Sequence, residues 1–458
     1  MPSTTLYIQE NIQSMILDYF EVGCHIDALE LIETALISYR KPSTAILQVM
    51  VGLLLRKREP NEQKHYKEHW IATDKTHDLL LKILRIFGPR IFDSLWDTFD
   101  HSHLAEFKRQ QQQLQYQNTS DPSYTDDDDD DGAIDTSDHA ESFIHQGLEA
   151  FEDFWDFVSQ CLKYSDEIAL IQAKSYLHLL DILVSVLEQD FYFKRDCAAN
   201  VTKSTLLTII QKNVVGGWDR FERYLDIMLE PFGSHQNDCS SMIITKQKAL
   251  GGRLLNLMHA ISCYDIPLSM TSLADQTFRS SMQRGVDCFT NLIKYIKFDS
   301  FILQLCDCGF LDVDWSTVPQ RYHYLKKEKP SSVENPSRWL NKWMHTYTKT
   351  RPKKIKWKNL YLHVFLIWQY YHSILKISSL RYDLDHNQGT VVIRGCNDLD
   401  NDALSTLLDD GMLKTWYRQV TTWMEQCRKS DVVVSSRHYD DEQHWEQRIE
   451  LLLDTLTF

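Results

Sequence analysis

Apolar residues that recur every three or four positions, with almost nothing to interrupt them, constrain this chain more than any other feature. Ile26, Leu29, Ile32 and Leu36 follow that spacing, and Ile46, Val49, Met50, Leu53 and Leu54 repeat it beyond Lys41-Pro42-Ser43. Such spacing places one apolar stripe along an α-helix and leaves the other faces polar. Gly (15) and Pro (11) are scarce in 458 residues, too few for the tight turns of a sandwich or barrel. The expected class is all-α. The chain is also too long for one compact core, so an irregular α–α superhelix of HEAT/TPR-like helix pairs is the expected architecture. No period with a fixed residue signature emerges, which makes the array irregular.

The spacing divides the chain into segments. An N-terminal helical unit is expected over 1–118, with a helix ending at Phe87 where Gly88-Pro89 stops it. Residues 119–140 contain six consecutive aspartates, Asp126, Asp127, Asp128, Asp129, Asp130 and Asp131. Adjacent carboxylates repel and nothing apolar lies among the six to be buried, so an acidic disordered linker is expected over 119–140. A central helical array over 141–318 follows, with stripes such as Phe151, Phe154, Trp155 and Val158, and Ile168 through Leu187.

In 319–358 the charge reverses. Twelve Lys and Arg, from Arg321 to Lys358, stand against Glu328 and Glu334, interleaved with Tyr322, Tyr324, Trp339, Trp343, Tyr347 and Trp357. The C-terminal unit, 359–458, opens on the apolar run Leu360–Ile377. That run is nearly long enough to cross a bilayer, but His363, Gln369, His372 and Lys376 interrupt it, so a buried central helix is expected and no membrane partner. A small β-hairpin is expected near 380–394, pairing Arg381–Leu384 with Thr390–Ile393, and then helices over about 401–427 and 440–456.

Three patterns imitate metal sites. His65-Tyr66-Lys67-Glu68-His69 has the H-x-x-E-H spacing of inverted zinc peptidases, but its neighbours are charged, where a zinc helix needs an apolar lining. Asp398, Asp400 and Asp402 alternate like calcium ligands, but Ala403 stands where the loop needs Gly; Asp383 and Asp385 have their Gly one place late. The ten Cys contain no C-x-x-C pair, and the nearest two are Cys306 and Cys308. The start, Met1-Pro2-Ser3-Thr4-Thr5, has neither a basic nor an apolar region, so reduced cysteines in an intracellular protein are expected.

No phosphate loop, dinucleotide fingerprint or nucleophile elbow is present, and neither metal nor cofactor is expected. The expectation is therefore a non-enzymatic scaffold or adaptor that binds other proteins, in a nuclear complex. Lys349, Arg351, Lys353, Lys354, Lys356 and Lys358 are the candidate nuclear-localisation or partner-binding residues, and Asp126–Asp131 the candidate acidic interaction run. The alternative is a nucleic-acid-binding module using 321–358, although a net charge of −15 repels phosphate on average. A metal-dependent hydrolase at 65–69 is the remaining alternative.

Overall fold

A computed structural model describes residues 6–56, 66–97, 99, 148, 151–163, 170–195, 204–214, 218–233, 241–263, 270–312, 357–386, 410–431 and 439–455. Among the described residues the protein is all-α, with sixteen α-helices, no strand, and one isolated parallel bridge from Tyr7 to Lys41. The chain divides into two compact units. The first comprises Met1–Pro231 and Asp238–Gly251, the second Phe232–Asn237 and Gly252–Phe458.

In unit 1 the helices are α1 (Glu10–Glu21), α2 (His25–Ile37), α3 (Thr44–Leu55), α4 (Tyr66–Phe87), α5 (Asp93–Asp97), α6 (Phe154–Leu162), α7 (Leu170–Lys194), α8 (Thr205–Val214) and α9 (Trp218–Leu229). Their starts follow local chemistry. Ser43 Oγ accepts from the Ile46 amide, and Asp153 Oδ1 accepts from the Asp156 amide at 2.7 Å, each meeting one of the orphan donors at a helix N-terminus. At α8, Ser204 Oγ accepts from Leu207 and Asp190 Oδ2, on α7, accepts from Thr205.

Helix α7 is the centre of this unit. Leu177, Leu179, Leu180, Ile182, Leu183, Val184, Val186 and Leu187 are all buried, so apolar residues cover most of the helix circumference instead of one stripe. It packs against α3, α4, α6, α8 and the 3₁₀ turn Pro89–Phe92. Packing thus converges on a middle helix.

Trp96 and Phe99 meet Phe154 edge-on at 5.6 and 6.0 Å, and Phe157 lies 6.3 Å from Phe99. Aromatic burial therefore joins α5 and α6 in one core, and the expected acidic linker, 119–140, lies outside the described residues. Unit 1 closes with the first part of α10 (Ser241–Ser262), where Gln247 Nε2 donates to the Cys161 carbonyl of α6 at 2.9 Å.

Unit 2 takes the rest of α10, then α11 (Met270–Arg284), α12 (Val286–Ile293), α13 (Asp299–Asp312), α14 (Trp357–His386), α15 (Asp410–Asp431) and α16 (Tyr439–Asp454). Its centre is α14, against which α12, α13, α15 and α16 all pack. Leu360, Val364, Leu366, Ile367 and Tyr370 are buried, as expected for the apolar run. Among the described residues no helix is long and apolar enough to cross a membrane. The expected hairpin is corrected: Arg381–Leu384, read as its first strand, continue α14 as far as His386, and Thr390–Ile393 lie outside the described residues. Alternation over four residues is too short a signal to resist propagation of a helix already nucleated in the core.

Polar side chains fix the geometry around α14. Arg448 of α16 donates to Asp287 Oδ1 on α12 at 2.7 Å and to the Tyr361 hydroxyl on α14 at 2.8 Å. Its guanidinium lies 4.2 Å from the Tyr361 ring centroid and 4.7 Å from that of Trp445. Asn256 on α10 donates to the carbonyls of Gly252 and Tyr295 and accepts from the Lys297 amide, so one side chain satisfies the turn between α12 and α13. Gly252 lets that turn approach, because a Cβ there would sit 2.6 Å from Tyr295 Cβ.

Two glycines on helices should therefore respond oppositely to the same change. Gly52 on α3 has nothing within 4 Å of an added Cβ. Gly52→Ala should stabilise by roughly 1 kcal/mol through helix propensity alone. Gly252→Ala gains the same propensity but pushes on an atom rooted to the backbone, and should destabilise by about 1–2 kcal/mol net. Denaturant midpoints of the two variants check this; an equal shift in the same direction would refute the close-approach reading of Gly252.

Candidate functional site

Among the described residues, one cluster of ionisable side chains spans three helices and was not apparent as a set from the sequence. It lies in unit 1 where α4, α7 and α10 meet. Helix α4 contributes Asp74 and His77, one turn apart. Helix α7 contributes Lys174, His178 and Asp181, at spacings of four and three that align them on one face. Helix α10 contributes Lys246.

Each group faces a partner from another helix. His77 Nε2 is 3.0 Å from Asp181 Oδ2, and Lys174 Nζ donates to Asp74 Oδ2 at 2.8 Å. The same ammonium lies 3.8 Å from the Trp70 ring centroid. Lys246 Nζ is 3.0 Å from His178 Nδ1 and 3.8 Å from Asp181 Oδ2. An ammonium has donors only, so His178 Nδ1 accepts and the ring proton resides on Nε2. That Nε2 stands 3.0 Å from Asp74 Oδ1, at ion-pair distance but off the line of a good hydrogen bond. The two imidazoles are 4.2 Å apart, inclined at 48°.

The environment decides the charge of His178. Burial, then the positive charge of Lys246, then His77 and Lys174 lower its pKa to about 3, against the opposing pull of Asp74. It is neutral at any ordinary pH. Such a group cannot hold a proton for transfer near neutrality; it serves as an acceptor that fixes Lys246 and so ties α10 to α7. Asp74 is the exposed end of the cluster, with 41% of its side chain open to solvent.

Two further imidazoles share this condition in unit 2. His259 stacks on Phe301 at 4.4 Å, and burial lowers its pKa to about 4. His363 is fully enclosed, accepts from Trp416 Nε1 at 3.1 Å, and is lowered well below its usual value by burial.

The residues singled out from sequence fall elsewhere. Asp126–Asp131, Lys349, Arg351, Lys353, Lys354 and Lys356 lie outside the described residues. Lys358 is exposed in the first turn of α14, directly after the buried Trp357. His65 and the side chain of His69 lie outside the described residues, while Glu68 is exposed on α4. Asp383 and Asp385 are on the last turns of α14, and Asp398, Asp400 and Asp402 lie outside the described residues. Cys306 is buried on α13, with Cys308 half-buried. Among the described residues no group of three or more His, Cys, Asp or Glu is placed to hold a metal ion. The signal that could have revealed the cluster is the polar line Lys174, His178, Asp181 and Ser185 within the otherwise apolar α7.

Three imidazoles held neutral make stability depend on acid. Each takes up its proton more readily unfolded, near pH 6.5, than folded, so stability is full above that pH and is lost as pH falls toward 4 and 3. For His178 alone the loss at about pH 5 is roughly 2 kcal/mol. Urea midpoints at about pH 7.5 and pH 5 should fall in that order, and His178→Gln should flatten the difference. A variant with unchanged pH dependence would show that His178 is not the group responsible.

No protein-family model, curated protein or solved structure matches the chain.

Proposed function

We propose that this protein is a non-enzymatic helical scaffold or adaptor subunit that joins other proteins in a nuclear complex. The observation that carries the reading is the junction at Trp357 and Lys358. Trp357 is buried in unit 2 at the start of the central helix α14, whereas Lys358, the next residue, is exposed. The basic run Lys349–Lys358 therefore ends on a fixed point of a packed core, an arrangement suited to presenting a cationic segment to an import receptor or an acidic partner. The internal ion cluster fits the same reading. Its carboxylates, ammoniums and imidazoles face one another across three helices, and that contact makes a rigid support.

The second reading is nucleic-acid binding through 321–358, which the ratio of twelve cations to two carboxylates favours. The buried Trp357 is removed from the aromatics available to stack on bases. The two readings separate in one pair of measurements. The scaffold reading expects Lys353→Ala/Lys354→Ala/Lys356→Ala to shift the protein from nucleus to cytoplasm and to deplete its co-purifying proteins. Unchanged nuclear entry would remove the nuclear address. Nucleic-acid binding instead expects affinity for a random duplex to fall steeply with salt, by about tenfold or more between 50 and 200 mM, as neutralised phosphates release counterions. No gel shift at low salt would eliminate it.

A further inference from the structure

We draw no further inference here: the strongest candidate, the side-chain cluster at the end of α10 in unit 2 where Cys263 Sγ and Ser300 Oγ lie 4.0 and 3.5 Å from His259 Nε2, carries nothing, because burial leaves that imidazole too weak a base to activate either nucleophile and nothing beside it among the described residues points to a ligand.

Discussion

Burial of the middle of one helix in each unit is the constraint from which the rest of the structure follows. Helix α7 is enclosed by α3, α4, α6 and α8, and α14 by α12, α13, α15 and α16. Burying one Leu or Ile contributes about 1.5–3 kcal/mol, so the run from Leu177 to Leu187 alone exceeds the net stability of an ordinary domain before chain entropy is subtracted. A polar residue on the enclosed part of such a helix must be answered from an adjacent helix. The ion cluster in unit 1 and the Arg448 junction in unit 2 are two solutions to that single requirement.

The two solutions differ in kind. In unit 1 carboxylates and ammoniums stand in equal number around two imidazoles, so little net charge is buried, although desolvation of the ions offsets much of their mutual attraction. In unit 2 one guanidinium serves a carboxylate, a phenol and two aromatic faces, using the planarity that distinguishes Arg from Lys. The surface pairs of Lys75 with Glu30 and Glu33 are of another order, exposed and worth at most a fraction of a kcal/mol each.

Helix positions were legible because spacing, caps and breakers are local. The stripe Ile26 to Leu36, the stop at Gly88-Pro89 and the apolar run at Leu360 all correspond to observed elements. What packs against what was not legible. Phe154 shows as part of a stripe, but nothing local says that Trp96, beyond a long acidic stretch, is its neighbour. For the same reason Asp74 and His77 read as two polar residues of α4, and Lys174, His178 and Asp181 as three of α7; only tertiary packing makes them one cluster. The hairpin failed in the opposite way, as a weak local preference overruled by the helix it adjoins. Gly252 is legible as an oddity within a helical stretch, but its reason, Tyr295, is distant in sequence.

Gly309 on α13 carries a different lesson. A Cβ at this position would lie 2.8 Å from Leu366 Cδ1 on α14 and 3.2 Å from Phe278 Cε2 on α11, so the Leu366 methyls occupy the space that its missing side chain leaves. Sliding α13 along α14 by one turn would bring Leu305 or Cys306 to that notch, and either side chain would collide with Leu366. The notch works as a key: α13 and α14 have a single axial setting and must move as one body. Whatever force a partner applied to the start of α14 would reach α13 without slippage, through a residue that has no side chain of its own.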